Sequence, residues 1–458
     1  MLKKIIVVAT LLLSTLTHAQ STLGQAYTLD DCIAIALQKH QSLRVSDAQL
    51  AMAEALHDQA MSSYWPRVSI EANASRADQD RTFTAKGDFV LPPTLGGATV
   101  PLDIKMKLFD RDVVAGSINA TYPIFTGLKR PAMIGQAEKG VMIAEQGRRK
   151  TSLEVVRDVK KYFYGAQLAL QMEQLADDTL ERFKALEDLT ERLYQNGSLK
   201  VKKTDYLRTK TSTALMRSML HEAEYSRQLA HEALGNAMGQ SWDAEYRLVE
   251  TEMPKALTAE LKELVEAALQ FNPDVQQLKL AVQASDHGIT AAQSGYYPMI
   301  GIKASAHTLW NDYKDGLFNE DNKDGWNIGI GMEWELFSGF ETKGKVDHAE
   351  AMKKKLESQT VLLDQGMALQ VKQQFLRIRS SGKQIEDTEA AFGFARENRK
   401  LNSRAYQQEM VETKDVIEAQ LVESFAQGAY YRSRYALEIG LASLEYLIGH
   451  NIEQIATQ

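Results

Sequence analysis

Two stretches of the chain alternate strictly between apolar residues and small or polar ones. In residues 326–336 the large apolar side chains occupy the even positions, and Asn, Gly and Glu occupy the odd positions. Residues 114–124 show the same period of two. This period predicts a β-strand with one apolar face. Because both strands end alike, in Phe125-Thr126-Gly127 and Phe337-Ser338-Gly339, we interpret the chain as an internal duplication.

Each of these strands is preceded by another alternating stretch, so each repeat is predicted to contain a β-hairpin. The earlier strands begin near Val68 and Ile300, after aromatic-proline corners at which proline ends the preceding helix. The hairpins are predicted over residues 67–126 and 299–338. The connections within them, roughly residues 76–112 and 308–325, are predicted to be exposed loops on the outer side.

Helical patterns fill most of the remaining sequence. Each repeat is predicted to begin with a helix, from Leu29 with Thr28 as its cap or from Leu261. After the hairpin comes a very long helix, over residues 129–194 or 343–406, which reaches about 100 Å at 1.5 Å per residue. Its sparse, small apolar residues are typical of helix-helix seams.

A return helix follows each long helix, beginning at Asp205 or Asp415 and running to Gly239 or Gly449. Each return helix covers about half of the long helix. We expect the first to continue end to end with the helix that begins near Leu261. The second is expected to continue with the helix that begins at Leu29.

One architecture is therefore predicted to be built twice. Residues 20–239 form the first repeat and residues 258–449 the second, and each contains a helix, a hairpin, a long helix and a return helix. Residues 240–257 form an equatorial linker, and residues 450–458 form a C-terminal tail. The predicted fold class is an α+β membrane protein with a long coiled-coil α-helical barrel and a β-barrel shared between subunits.

The N-terminus has the pattern of an export signal. Lys3 and Lys4 precede an apolar run over residues 5–16, and Thr17-His18-Ala19 provides a cleavage site. Residues 1–19 are therefore predicted to be a signal peptide, because the run is short of the roughly 20 residues that a membrane-spanning anchor needs. Removing the two lysines lowers the formal charge from −7 to −9. Such an acidic chain has no electrostatic footprint for nucleic acid.

The alternating strands indicate a lipid environment, since the long helices offer no second sheet to cover an apolar face. Four strands in one chain have open edges, and a bilayer does not tolerate unpaired backbone groups. Hairpins from several chains must therefore close one barrel, and three chains would supply twelve strands. Aromatic residues near the strand ends are predicted to lie at the membrane interface: Trp65, Tyr122, Trp310, Trp326 and Trp334.

The second helix tip has the pattern Y-x8-D-V-x-x-A, with Tyr406, Asp415, Val416 and Ala419. Together with the duplication, the hairpins and the signal peptide, this pattern resembles the TolC-type outer-membrane factors, which are exit ducts of tripartite efflux pumps and type I secretion systems. The resemblance implies a homotrimer with a 12-stranded barrel in the outer membrane of a Gram-negative bacterium. It also implies a large periplasmic helical domain that docks on a periplasmic adaptor and connects to an inner-membrane pump.

The resemblance also assigns roles at the helix tips. It places the periplasmic gate at Asp415 and Glu418, with Tyr406 as a latch residue and Asp205 at the corresponding place in the first repeat. Acidic residues in a first helical turn also complement the helix dipole, and a tyrosine on a coiled-coil face also serves packing, so both interpretations remain open. The family's basic residue four positions before the aspartate is replaced here by Val411.

The adaptor-docking positions implied by the resemblance are the two tips. They comprise Gly197 and Leu199 in the first tip, and Glu409 and Met410 in the second, where the family often has glycine. The alternative at each residue is an ordinary turn between two helices.

The sequence gives no sign of an enzyme or of a bound cofactor. His221-Glu222 and His231-Glu232 each match half of a zinc motif, but neither has the second histidine. Cys32 is expected to be a packed helical residue, and His307 is expected to face the pore. The alternative to a channel is a periplasmic coiled-coil scaffold. Within the channel class, efflux of drugs or metals and secretion of protein remain open.

Overall fold

The structure is a computed structural model that describes residues 25–250, 257–310 and 323–450. The predicted signal peptide, part of the linker, most of the second hairpin connection and nearly all of the C-terminal tail lie outside the described residues. The chain divides into two compact units. One comprises residues up to Leu50, Ile143–Lys279 and the residues from Gln359 onward, and the other comprises Ala51–Met142 and Leu280–Ser358.

Helices account for most of the described residues, and strands lie between them in an order that occurs twice. In chain order the elements are β1 (Gln25–Tyr27), α1 (Leu29–Lys39), α2 (Gln41–Met61), β2 (Arg67–Arg76), β3 (Arg81–Val90), β4 (Thr99–Phe109), β5 (Asp112–Phe125), α3 (Lys129–Gln195), α4 (Lys203–Ala237), β6 (Tyr246–Leu248), α5 (Leu261–Phe271), α6 (Pro273–Gln293), β7 (Met299–Trp310), β8 (Asp324–Glu333), α7 (Glu341–Gln407) and α8 (Thr413–Ile448).

The start of α1 confirms the predicted cap. The Thr28 side chain accepts a hydrogen bond from the Asp31 backbone N–H at 3.2 Å, and the Asp31 carboxylate accepts one from the Thr28 backbone N–H at 3.0 Å. This reciprocal pair satisfies two backbone donors that the helix itself leaves unpaired. Cys32, the residue after Asp31, is fully buried, as predicted.

The unit that contains the helix tips is held together by three apolar clusters. The first joins α1 and the end of α4 to α3 around Phe163, and the second joins α5 and the end of α8 to α7 around Val371. The third lies near the tips around Phe183. No helix within the described ranges combines the length and the apolar character that crossing a membrane requires.

The expected end-to-end pairing of the return helices is wrong. Gly239, just after α4, packs against the backbone of Lys39 and His40, and Gly449, just after α8, packs against Phe271 and Asn272. Each return helix therefore meets the helices that open its own repeat. The cause is the linker, in which β6 pairs in parallel with β1 and so returns the chain to the start of α1.

The other unit contains a four-stranded antiparallel sheet in the order β2-β5-β7-β8. Strand β8 ends at Glu333, five residues before the predicted end of the hairpin at residue 338. Glu333 pairs with Met299, the first residue of β7, and Pro298 before it has no backbone N–H to continue the ladder. Trp334 instead donates a hydrogen bond from Nε1 to the Tyr296 carbonyl oxygen at 3.2 Å.

The long connection in the first hairpin is not a loop, contrary to prediction. This connection, which follows β2 and precedes β5 along the chain, contains β3 and β4. These two strands pair with each other as a separate two-stranded antiparallel sheet. Gly96 and Gly97 adopt positive φ at its turn, a conformation that glycine tolerates without strain.

Candidate channel sites on the sheet and at the helix tips

The register of the four-stranded sheet brings the apolar positions of all four strands onto one face. Ile70 pairs with Ile118, which pairs with Ala306, which pairs with Trp326. The next row on the same face, two residues further along each strand, is also made of apolar or small residues: Val68, Ala120, Ala304 and Ile328. Ile70, Ile328 and Ile330 are each at least 66% exposed in the single chain. This face is apolar, continuous and uncovered.

The opposite face of the same sheet is polar. One row across the strands consists of Glu71, Ser117, His307 and Gly325, and the next consists of Ser69, Asn119, Ser305 and Asn327. His307 lies on this polar face, and its exposure to a pore stays a prediction. A sheet with one apolar and one polar face, both exposed, is suited to separate lipid from water.

The five predicted interface aromatics lie towards the two ends of the sheet. Trp310 pairs with Val114, and Trp326 lies opposite Ala306, towards the end at which β3 and β4 emerge. Trp65, Tyr122 and Trp334 lie at the end that joins the helices, and all four tryptophans are exposed. Aromatic residues at both ends of an apolar band match the two girdles of a membrane barrel.

Arg130 joins strand β5 to the start of α3, and the sequence reasoning missed it. Its guanidinium lies over the rings of Tyr64 and Tyr122, at 4.9 and 5.6 Å from their centroids, and donates a hydrogen bond to the Pro123 carbonyl oxygen. Arginine in the first turn opposes the helix dipole. That unfavourable position was the available signal that this side chain is held by other contacts.

The two tips have similar backbone turns, made by different residues. Gly197 ends the first long helix with φ +78°, and Glu409 holds the corresponding position in the second tip with φ +55°. The left-handed region costs a non-glycine residue about 1–2 kcal/mol. Glu409 is fixed there by the first tip, because its carboxylate accepts a hydrogen bond from Ser198 at 2.9 Å and its carbonyl oxygen accepts one from Lys200 at 2.6 Å.

The apolar tip residues remain open to solvent. Leu199 is 98% exposed and Met410 is 70% exposed. Both border a pocket between the tips that is also lined by Asp205, Glu409 and Asp415. Tyr406 lines the same pocket, so the structure brings six of the predicted gate and tip residues around one cavity.

Tyr406 is buried between the helices that carry the tips. Its hydroxyl lies 2.9 Å from the Thr190 hydroxyl on α3 and 2.9 Å from the Thr413 hydroxyl at the start of α8. Its ring belongs to the apolar cluster that includes Phe183 and Val416. The tyrosine therefore combines packing with a hydrogen-bonded link between the two helix pairs.

Asp205 and Asp415 have equivalent local contacts. Each carboxylate accepts a hydrogen bond from the backbone N–H three residues earlier, that of Lys202 at 3.0 Å and of Glu412 at 3.1 Å. Each aspartate thus caps its return helix. Asp205 also pairs with Arg208 at 3.5 Å, whereas Asp415 and Glu418 are both exposed.

A buried ion pair behind the second tip was not predicted. Arg399 on α7 donates to both carboxylate oxygens of Glu423 on α8, at 2.6 and 3.1 Å. Glu423 is 3% exposed, and Arg182 of α3 lies close enough to interact electrostatically with both partners. Burial lowers the pKa of Arg182 from its ordinary value. Nothing in the sequence indicated this pair, because its partners are 24 residues apart and follow no local spacing rule.

A second buried carboxylate lies where α8 packs on α3. Burial raises the pKa of Glu438 to about 7, while its hydrogen bond to Tyr164 and the charges of Arg434 and Lys160 act in the opposite direction. Lys160 itself pairs with Glu445, which is about two turns further along α8 than Glu438. The interface is therefore a polar seam whose charge changes near neutral pH.

Comparison with known proteins agrees with the sheet and the helix tips described above. The family model described as outer membrane efflux protein matches residues 32–240 and 264–450, which is most of the chain. The chain belongs to the outer membrane efflux protein family. This membership confirms the predicted resemblance, together with the predicted location in the outer membrane of a Gram-negative bacterium and the helical domain in the periplasm.

Relatives in the family are distant in sequence. The probable efflux pump outer membrane protein TtgC of Pseudomonas putida is 22% identical over 338 residues, which is 71% of this chain and 63% of that protein. The cation efflux system protein CusC of Escherichia coli K12 is 23% identical over 241 residues, 51% of this chain and 50% of CusC. The aligned regions thus span less than two thirds of either relative.

Solved structures in the family share the fold over nearly the whole chain. A crystal structure of CusC superimposes with a TM-score of 0.76 at 17% identity, covering 95% of this chain and 96% of CusC. VceC of Vibrio cholerae gives a TM-score of 0.73 at 18% identity and covers 93% of this chain and 96% of VceC. The fold is therefore that of an outer-membrane channel. TtgC and CusC are named as efflux proteins rather than as enzymes.

Proposed function

We propose that the protein is the outer-membrane exit duct of a tripartite efflux system. Three chains would form it, each contributing β2, β5, β7 and β8 to one 12-stranded barrel. The supporting observation is the sheet, which has an uncovered apolar face and two edge strands, β2 and β8, that lack outer partners in the described chain. Because a bilayer does not tolerate unpaired backbone groups, β8 of one chain pairs with β2 of the next.

In this proposal the two structural repeats, residues 20–239 and 258–449, supply the helices of a periplasmic duct. The tips are its inner mouth, and Leu199 and Met410 contact a periplasmic adaptor that connects to an inner-membrane pump. Their exposure supports this role, since apolar tip residues exposed to water are suited to a protein partner.

Asp415 and Glu418 act as the gate in the same proposal. Three copies would place six carboxylates at a narrow mouth, where they attract cations and repel one another. Their exposure on one helix face supports this assignment. Passage through the duct is passive, so the pump chooses the substrate. Relatives in the family are named for antibiotic, toluene and cation efflux, which favours efflux of small molecules or ions over protein secretion.

Conductance across a planar lipid bilayer tests the proposal against a periplasmic scaffold. The purified full-length protein is expected to insert and to give discrete conductance steps. A scaffold would give none and would remain soluble without detergent. A soluble protein with no conductance would therefore refute the duct.

A further inference from the structure

The hairpin of β3 and β4 is amphipathic in the same way as the membrane sheet, but it is separate from it. Its register pairs Phe83 with Met106, Ala85 with Ile104, Gly87 with Leu102 and Phe89 with Val100, all on one face. The other face pairs Thr82 with Lys107, Thr84 with Lys105 and Lys86 with Asp103, and the last pair forms an ion pair at 3.3 Å.

The apolar face of this hairpin is open in the single chain. Phe83 and Phe89 are 53% and 58% exposed, and Val100, Leu102 and Ile104 are between 38% and 43% exposed. A contiguous apolar surface of this kind on a soluble segment indicates a contact with another molecule. The question is whether lipid or protein covers it.

Charged residues separate the hairpin from the lipid-facing band. Arg76 pairs with Asp112 at 3.4 Å where β2 and β5 end, and Lys107 pairs with both Asp80 and Asp110 at the base of the hairpin. These charges cannot lie in hydrocarbon without a large desolvation cost. The hairpin therefore stands beyond the bilayer core, at the end of the sheet opposite the helices, so hydrocarbon does not cover its apolar face.

The base of the hairpin also fixes its direction. The Ala77 backbone N–H donates to the Arg111 carbonyl oxygen at 2.7 Å, and the Arg111 backbone N–H donates to the Asp80 carboxylate at 2.8 Å. Together with the ion pairs of Lys107, these bonds connect both strands of the hairpin to the ends of β2 and β5. The hairpin is therefore held in a fixed direction as a continuation of the barrel wall.

The size of the hairpin allows three copies to meet. Strand β3 has 10 residues and is therefore about 33 Å long. Twelve tilted strands about 4.8 Å apart give a barrel radius of about 12 Å. A hairpin of this length rooted on the rim can reach the barrel axis and the hairpins of the other two subunits.

We propose that the apolar faces of the three β3–β4 hairpins pack on one another above the outer mouth of the barrel. The occupant of each apolar face is thus a second copy of this chain. This inference rests on the trimeric barrel proposed above. The packed hairpins form an external closure that is separate from the tips and must part for cargo to leave.

Single cysteines test the packing directly, because Cys32 is the only cysteine in the chain and is fully buried. Ala85→Cys and Gly87→Cys place a thiol on the apolar face, and a Cβ at Gly87 meets no atom within 4 Å. Thr84→Cys is the matched control on the polar face. In intact outer membranes, a short bismaleimide is expected to join Ala85→Cys or Gly87→Cys chains into covalent dimers and to leave Thr84→Cys chains uncrosslinked.

Labelling of the same cysteines shows whether protein, water or lipid covers the apolar face of the hairpin. A membrane-impermeant maleimide is expected to label Thr84→Cys but not Ala85→Cys. Equal labelling of both positions without crosslinks would show that the apolar face is open to water and would overturn the proposal. Labelling of Ala85→Cys by a lipid-soluble reagent alone would show lipid there and would overturn it as well. The mass of the detergent-solubilised protein separates these failures from loss of the trimer, which would refute the duct itself.

Discussion

Lys200 of the first helix tip donates a hydrogen bond from Nζ to the backbone carbonyl oxygen of Glu409 in the second tip, at 2.6 Å. Glu409 has a positive φ, and among the described tip residues it is the one that does so without being glycine. Glu409 is thus stabilised in an unfavourable backbone conformation by contacts with the other tip. The two tips of a chain form one hydrogen-bonded surface.

Removing the Glu409 side chain should loosen this surface. Glu409→Ala keeps the left-handed strain and loses the bond from Ser198, so we expect faster amide hydrogen exchange over residues 196–202. Glu409→Gly loses the same bond but relieves about 1 kcal/mol of strain, so its second tip should exchange more slowly than that of Glu409→Ala. Gln408→Ala, on an exposed neighbour, is the control. Equal exchange in all three variants would contradict the assigned contacts.

The charge of the tip carboxylates can be separated from their capping role. Asp415→Asn retains an oxygen that can accept the Glu412 backbone N–H, so the helix cap is preserved. Combined with Glu418→Gln, it removes both negative charges of the gate. We expect higher single-channel conductance and a loss of cation selectivity, measured as a shift in reversal potential across a salt gradient. If both quantities match the unmodified protein, the carboxylates serve only the helix start.

The Arg399–Glu423 pair should be costly to break from one side. Glu423→Ala leaves the Arg399 guanidinium buried without its partner, which typically costs about 3–5 kcal/mol. The thermal unfolding midpoint, followed by the helical circular dichroism signal, should fall clearly. The double variant Arg399→Leu with Glu423→Leu removes both charges and should recover most of the loss. A double variant as unstable as the single one would show that the pair contributes through its geometry rather than its charge.

Glu438 predicts a dependence of stability on pH. Burial raises the pKa of its carboxyl from 4.5 to about 7, so the folded protein holds a proton that the unfolded chain releases at lower pH. The stability contributed by this proton is complete below about pH 4.5 and is lost as the pH rises towards 7. Tyr164, Lys160, Arg434 and Glu445 are the groups that act on this carboxyl.

Glu438→Gln tests this dependence, since glutamine resembles the protonated acid at every pH. The variant should be more stable than the unmodified protein at pH 8, and the difference should shrink at pH 5. Unfolding midpoints at the two pH values measure the effect. A difference that does not change with pH would assign the titration to another group.

The apolar face of the sheet gives a matched pair of substitutions on one strand. Ile330→Lys places a charge on the face assigned to lipid, at a cost of about 2–4 kcal/mol near the bilayer midplane. Asn327→Lys places the same charge on the polar face of β8. We expect the first variant to reduce the amount of protein in the outer membrane, as quantified by fractionation, and the second to have little effect. Equal loss from both would argue against the assignment of the faces.

The sequence predicted those features that depend on local periodicity. The period of two located the four strands of the antiparallel sheet, and the Thr28 cap and the burial of Cys32 followed from short-range rules. The β3–β4 hairpin was missed because Gly87 leaves a gap in the apolar face of β3 and Pro92-Pro93 indicates a loop. The meeting of α4 with α1 was missed because it depends on pairing between two three-residue strands that are distant along the chain.

Some residues of the candidate site could be predicted from the sequence, whereas their contacts could not. The acidic and apolar tip residues stood out by position in the repeat, and the structure gathers five of them around one pocket. The contacts of Lys200, Ser198 and Thr190 could not be read from the sequence, because they join helices whose relative register only the folded chain defines. Arg130 shows that an unfavourable charge in a first helical turn can indicate such a contact.

The mass of the protein in detergent, measured by light scattering with the detergent contribution subtracted, tests the central claim most directly. A shared barrel requires three chains per particle, so the expected mass is three times that of the single mature chain. A monodisperse monomer would leave β2 and β8 without partners in lipid and would contradict the duct.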